Sequence, residues 1–411
     1  MRFITILALA IAVVASAPIM ATIINIPDDY PAIQQGIDAS TDGDTVLVQP
    51  GTYAELISFS GHNVTVASLF LTSGDLSYIT STTIDGGASG TTVLFENGEN
   101  ETAAIIGFTI TGGDGSFGGG ISCASGSSPT IMHNIIIQNS ASQGGGGISC
   151  WQNCHPLIAN NIIYGNSSLS FGGGILCSTG CNPTIVNNVI IANVSSSQGG
   201  AIMSWQSNPQ VINSICWANE GSGNDDEISG TVSITYSNIE GGWNGQGNMN
   251  ADPLFRDPEN GDFHLMSTAC DDPDDSPCID MGDPDIFDNP LNCDWGLGEE
   301  RSDMGAYSGA EIAVDVDEPA FQLPRFFRLG QNYPNPFNAS TRIRYELPEQ
   351  AQVKLDIYDI LGRKVTTIEE GMRPAGYHQV LWIADAVASG IYFYRLRTGD
   401  YVDAKKMLLV K

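Results

Sequence analysis

The sequence predicts an all-β chain: a solenoid of short parallel strands followed by a small Ig-like β-sandwich. Three observations predict this. Four stretches repeat one pattern at a fixed interval, so that Ile121, Ile148, Ile175 and Ile202 each lie 27 residues apart. Short runs of β-branched residues alternate with Gly, Pro, Asn and Ser, and no run keeps a helical period over ten residues. The charge balance reverses near residue 325. Residues 22–324 hold 2 basic and 37 acidic residues, whereas residues 325–411 hold 13 basic and 9 acidic.

Each repeat reads as one coil of a solenoid. Ile175-Leu176-Cys177 follows a glycine triplet, Thr184-Ile185-Val186 follows Asn182-Pro183, and Val189-Ile190-Ile191 follows two asparagines. A single coil cannot bury its own apolar face, so the coils must stack, at about 4.8 Å per strand. Stacking makes Ile121, Ile148, Ile175 and Ile202 one inward aliphatic ladder, and Ile131, Ile158, Ile185 and Val211 another. Asn139, Asn166, Asn193 and Asn219 make a ladder at a turn, each amide donating to the next coil. The glycine triplets permit tight bends at positive φ. With no helix or lysine after them they are not a phosphate loop.

On these residues the chain resembles the right-handed parallel β-helix, or pectin-lyase-like, superfamily. The segment from Ile26 to Ala39 is similar to the superfamily's capping segment, with Pro31 opening a short helix whose Ile33 and Ile37 share one face. The run from Thr45 to Tyr53 resembles its first strand. The resemblance spans about residues 22–310 and implies a fold, because one fold hosts many chemistries.

Arg2 followed by the apolar run Phe3 to Val14 reads as a signal peptide over residues 1–21. No later stretch approaches eighteen apolar residues, so no transmembrane segment is expected. Residues 311–325, acidic and proline-containing, read as a linker. Residues 326–411 contain strand-like runs and a specific motif set. It consists of Gln331-Asn332-Tyr333-Pro334-Asn335-Pro336-Phe337-Asn338, Gly390 and Tyr392 within Ser389 to Tyr394, and the closing Lys405-Lys406. This set resembles the C-terminal sorting domain of the type IX secretion system. The resemblance implies a Gram-negative bacterium, and passage across its outer membrane by machinery that reads this domain. The protein is then released or held at the cell surface.

What the chain lacks narrows its function. No Lys or Arg occurs from Phe3 to Phe255, and no Asp or Glu from Gly115 to Asn219. Lyases of the resembled fold use calcium-binding acids and a basic residue, and its hydrolases use clustered aspartates. Neither set can be assembled on the regular coils. The least unsuitable carboxylates are Asp85 and Asp114, both beside glycines, where the favoured reading is that of turn residues. The acidic surface disfavours nucleic acid and acidic polysaccharides.

Trp151 and Trp205 occupy one position two coils apart, and alternation from Ile148 and Cys150 points them outward. Their expected separation of about 9.6 Å, twice the strand spacing, suits successive units of an extended neutral glycan. Cys150 with Cys154 and Cys177 with Cys181 admit two readings. They are local disulfides, or part of an inward ladder of Cys123, Cys150 and Cys177. Cys270, Cys278 and Cys293 lie in an Asp-rich segment where one disulfide would be a staple. Residues 271–285 offer either a solvated acidic loop or oxygens for calcium, although no EF-hand spacing is present; no other cofactor is expected. The expected function is that of a secreted or surface non-catalytic protein serving adhesion or neutral glycan binding. The alternatives are a polysaccharide lyase or glycoside hydrolase, and a purely structural spacer.

Overall fold

The computed structural model describes residues 21–222, 227–288, 292–299, 301–308 and 327–410, the last without 331, 333–334, 349, 374–375, 385–386 and 400. The proposed signal peptide, save Ala21, and the proposed linker lie outside the described residues. Two compact units are present, divided between Asp315 and Val316.

The first unit is a solenoid of parallel strands with three long faces and one short strip. A representative coil runs Thr130–Met132, Ile135–Ile137, Ser140–Gly144 and Ile148–Trp151. These strands belong respectively to sheets of nine, eight, four and seven strands, called here the first face, second face, strip and third face. Register follows the repeat: Ile121 pairs with Ile148, Ile148 with Ile175, and Ile175 with Ile202. All four are fully buried, as are Ile131, Ile158, Ile185 and Val211 in the first-face ladder.

Two chains of buried amides run along the solenoid. Asn134 donates through its backbone N and Nδ2 to Asn161 Oδ1 at 3.0 and 3.1 Å, and Asn161 repeats this on Asn188. A second chain links Asn139, Asn166, Asn193 and Asn219 and ends on the Glu227 carboxylate. Each asparagine also donates to a carbonyl of the preceding coil, as Asn166 does to Ile136 at 2.8 Å. The first glycine of each triplet turns the chain at positive φ, +68° at Gly145. A Cβ there would fall 2.3 Å from the Ile148 carbonyl oxygen, which excludes any other residue.

The N-terminal end is closed by the helix Ile33–Ala39, whose Ile33 and Ile37 are fully buried in the solenoid core. It begins two residues after Pro31, and Glu55 accepts from the backbone N of Ile33 and Gln34 at 2.9 and 3.0 Å. The first strand is Ile23–Ile26 rather than the run at Thr45, which forms the second strand and pairs with it in parallel. Two short helices not expected from the sequence, Phe70–Ser73 and Ser77–Ser81, interrupt the early coils.

Residues after the last coil fold back along the second face. Phe255, Phe263, Leu265, Cys278, Leu297, Met304 and Ala306 pack against Ile162, Val189, Ile191 and Ile215. Asn160 Nδ2 donates to the Ala306 carbonyl at 3.1 Å, and Asn213 Nδ2 to Ser302 Oγ at 3.1 Å. The second-face runs, such as Val189-Ile190-Ile191, are apolar on both sides because both sides are covered.

The second unit is an antiparallel sandwich. A sheet of Arg328–Leu329, Ser340–Leu347 and Gly376–Ile383 accompanies a sheet of Lys364–Arg373, Ala351–Asp359, Gly390–Thr398 and Tyr401–Leu409. Its core includes Ile343, Tyr345, Leu355, Trp382, Tyr394 and Met407.

Candidate functional site

The tryptophan column stands on the third face. Trp151 pairs with Ser178, and Ser178 with Trp205, so the two indoles share one register position two coils apart. Cys150 beside Trp151 is fully buried, and alternation turns both rings outward. Trp205 is 55% exposed. Trp151 is half-buried, because the Phe117 ring stacks on it at 5.1 Å and nearly parallel. Phe117 was not anticipated in the sequence; it comes from the strip strand Asp114–Phe117, whose approach to the third face no repeat position announces.

Asp85 and Asp114 stand in different sheets. Asp85 lies on the second face, paired with Ala54 and Thr111, and accepts from the Gly87 N at 2.9 Å. Asp114 lies on the strip and accepts from Ser140 Oγ at 2.7 Å. The Asp85 bond closes its own turn, whereas the Asp114 bond joins neighbouring coils.

The cysteines follow the ladder rather than the local disulfides. Cys123, Cys150 and Cys177 are in register, and these three with Cys154, Cys181 and Cys216 are buried thiols. The Cys154 thiol is directed to the Trp151 carbonyl at 3.1 Å, and its backbone N to Cys181 Sγ at 3.2 Å, so neighbouring coils meet there through thiols. In the irregular segment Cys270 is bonded to Cys293, and Cys278 stays a buried thiol that accepts from Asn238 Nδ2 at 3.2 Å.

Two carboxylates of the acidic loop are engaged by neighbouring residues of the same segment. Asp272 pairs with Arg256 at 2.8 Å, and Asp275 accepts from the Thr268 N at 2.7 Å. Among the described residues no group of three or more His, Cys, Asp or Glu side chains is placed to hold a metal ion, and the calcium reading has no ligand set. Deeper in this segment Asp288 and Asp303 are buried together, and burial raises both carboxyls above the usual range. Asp303 accepts from the backbone N of Asp280 and Leu297 at 2.8 and 2.7 Å, an arrangement that folds the segment.

A cavity of about 300 Å³ lies where the returning segment crosses the second face. Its walls include Asn160, Asp262, His264, Trp295 and Tyr307. Asp262 accepts from His264 Nδ1 at 2.5 Å, and this hydrogen bond holds the Asp262 carboxyl below the usual range. The His264 ring stacks on Tyr307 at 3.6 Å. Trp295 meets the His133 ring edge-on at 5.5 Å, and enclosure lowers the His133 imidazole pKa far enough to keep it neutral. His264 Nε2 and Asn160 Oδ1 are buried without hydrogen-bond partners. Sequence reasoning missed this site because its walls come from chain segments over a hundred residues apart.

In the second unit, parts of the sorting motif hold the sandwich. The Tyr394 hydroxyl donates to the Gly330 carbonyl at 2.7 Å and accepts from the buried Asn332 N at 2.7 Å. Asn335 Oδ1 accepts from the Leu408 N at 2.8 Å. Phe337 is buried against Trp382, and Trp382 against Tyr392. Tyr392 donates to the Ala388 carbonyl at 2.7 Å, just before the strand that Gly390 opens. Lys405 and Lys406 lie on the last strand, with Pro336, Asn338 and Lys406 exposed. Gln331, Tyr333 and Pro334 lie outside the described residues.

Such a molecule is a β-solenoid carrying a separate export module. Residues 45–239 match the family described as the right handed beta helix region, and residues 331–411 match the secretion system C-terminal sorting domain. The chain is thus a right-handed parallel β-helix protein with a type IX sorting domain, a domain that directs export to the cell surface or the extracellular space. No curated protein matches it. Among solved structures it is similar to a pectin methylesterase mutant in complex with a hexasaccharide. That likeness is 12% in identity, covers 55% of this chain and 80% of the other, and has a TM-score of 0.26. No described helix is long and apolar enough to cross a membrane.

Proposed function

We propose that this protein is a non-catalytic surface or secreted β-helix protein of a Gram-negative bacterium, and that its third face binds a neutral glycan. The observation that carries the reading is Trp205, 55% exposed and in register with Trp151 on a stacked scaffold. An exposed indole on a flat sheet offers an apolar face to a sugar ring, and a rigid base removes the ordering cost of binding. The regular coils carry no Asp, Glu, Lys or Arg between Gly115 and Asn219, which favours an uncharged ligand.

The test uses the purified full chain and a panel of neutral and acidic polysaccharides. Retention is followed by affinity electrophoresis and polymer length by size-exclusion chromatography. Retention by a neutral glycan with no shortening supports the proposal. Shortening of any polymer replaces it with an enzyme, and no retention by any member leaves a spacer.

A further inference from the structure

We propose that Phe171 and Trp205 together form one sugar-stacking subsite, which takes a single ring of a neutral glycan. The proposal rests on the reading of the third face as a neutral-glycan surface and gives that reading a definite place. It comes from a second copy of the Phe117–Trp151 pair. Residues 116–121 and 170–175 both read Ser-Phe-Gly-Gly-Gly-Ile. The strip sets Phe117 against Gly144 and Gly144 against Phe171, as the third face sets Trp151 against Ser178 and Ser178 against Trp205. The glycine after each phenylalanine turns alike, at φ +71° for Gly118 and +62° for Gly172. Phe171 therefore stands to Trp205 as Phe117 stands to Trp151.

The two copies differ in one respect. Phe117 lies on Trp151 at 5.1 Å with the ring planes 9° apart. Among the described residues, Phe171 and Trp205 make no ring contact with each other, and Trp205 is 55% exposed. The floor under each pair supplies the reason. The outward third-face residues are Ser122 and Ser149 in the first copy and Leu176 and Met203 in the second, all four buried. Small serines let the Phe117 ring reach its indole, whereas Leu176 and Met203 hold Phe171 away from Trp205. Phe117 thus occupies on Trp151 the place that a ligand ring takes on Trp205.

The surroundings select the ring. The indole and the Leu176–Met203 floor ask for an apolar face. Gln206, exposed beside Trp205, has a side-chain amide that bonds to no described residue and is free for a hydroxyl at the ring's edge. A pyranose presents C–H groups on its face and hydroxyls at its rim. The Trp205 carbonyl accepts from the Thr179 N at 3.0 Å and from Ser207 Oγ at 3.2 Å, so the backbone under the indole is set before a ligand arrives. Glu220, paired with Val194 on the strip, disfavours an acidic sugar.

The test is calorimetric titration of the full chain with cellohexaose, laminarihexaose, mannohexaose, xylohexaose, maltohexaose and trigalacturonate, alongside the unfolding midpoint of each variant. At least one neutral hexaose should bind. Trp205→Ala should weaken it about tenfold or more, and Phe171→Ala about threefold to tenfold. Phe171→Leu, which keeps the apolar bulk and removes the ring, should weaken it likewise. Phe117→Ala should tighten binding severalfold, because it bares the Trp151 face and one hexaose then meets two indoles. Parent-like binding by both Phe171 variants, weaker binding by a folded Phe117→Ala, or preference for trigalacturonate would each overturn the proposal. Binding lost in Trp205→Ala alone, or polysaccharide retention with no hexaose bound, would remove the Phe171–Trp205 subsite and keep the neutral-glycan reading. Absence of both hexaose binding and polysaccharide retention would remove the two together.

Discussion

Asn166 Nδ2 donates to Asn193 Oδ1 at 3.0 Å, and Asn166 Oδ1 in turn accepts from Asn139 Nδ2 at 3.0 Å. The same two amides are joined through backbone groups, since Asn166 N donates to Asn193 Oδ1 at 2.9 Å and Asn139 N to Asn166 Oδ1 at 3.0 Å. One side chain thereby binds three coils together where no water reaches. Replacing it takes the acceptor from the Asn139 N and Nδ2 donors and the donor from the Ile136 carbonyl and Asn193 Oδ1, and each buried unmade bond costs about 1–3 kcal/mol. Asn166→Ala should therefore destabilise the solenoid by about 3 kcal/mol or more, read from the midpoint of denaturant unfolding. A loss under about 0.5 kcal/mol, the level of a surface substitution, would show that the ladder is not a main support.

The ladder ends on a carboxylate, and this gives a pH dependence. Asn219 donates to Glu227 from its backbone N at 2.9 Å and from Nδ2 at 2.7 Å. Burial pushes the Glu227 carboxyl up to about 8, against the opposing pull of those two bonds. The folded chain then holds a proton that the unfolded chain releases near 4.5. The contribution to stability is complete below about 4.5 and is lost as pH rises through about 8. The unfolding temperature should fall between pH 5 and pH 9, and Glu227→Gln should reduce that fall. Asp288 and Asp303, also raised by burial, act in the same sense and leave a residual slope. An identical slope in Glu227→Gln and the parent chain would refute the assignment.

The tryptophan column predicts unequal effects at its two positions. Trp205 is 55% exposed, whereas Trp151 has one face covered by Phe117. Trp205→Ala should weaken neutral polysaccharide retention severalfold with little change in unfolding midpoint. Trp151→Ala should weaken retention less and lower stability by about 1 kcal/mol through loss of the ring stack. Unchanged retention in both variants would remove the column as a site.

Export is testable by truncation in a bacterium that has the type IX system. Removing residues 326–411 should leave the solenoid in the periplasm, as measured by cell fractionation and surface proteolysis. Normal surface display of the shortened chain would detach export from this domain. A finer variant is Asn332→Ala, which removes a buried side chain donating to Thr341 Oγ1 at 3.0 Å and should reduce export by destabilising the sandwich.

Much of the fold was legible because stacking turns sequence interval into spatial position. Ile148, Asn166 and the first glycine of each triplet recur at one interval, and the structure sets each against its counterpart in the next coil. The thiols were half legible. Cys123, Cys150 and Cys177 are spaced as a ladder, but the spacing of Cys150 to Cys154 fits a local bridge equally well. Only the direction of the Cys154 side chain, toward the Trp151 carbonyl, separates the two.

The sequence by itself determined the coil, its inward ladders, the capping helix and the presence of a sorting domain, since each rests on contacts at a repeated or short separation. The tertiary structure decided how the chain after the last coil is used. It joined Cys270 to Cys293, covered the second face, placed Phe117 on Trp151, and set Asn160 beside Ala306 across 146 residues. That cover has no period, and its partners are chosen by which apolar strands and unpaired amides remain exposed after the coils have stacked. The triple apolar runs of the second face, such as Ile162-Ile163-Tyr164, announce that a cover exists. Its route, and the cavity it leaves, exist only once the coils have assembled.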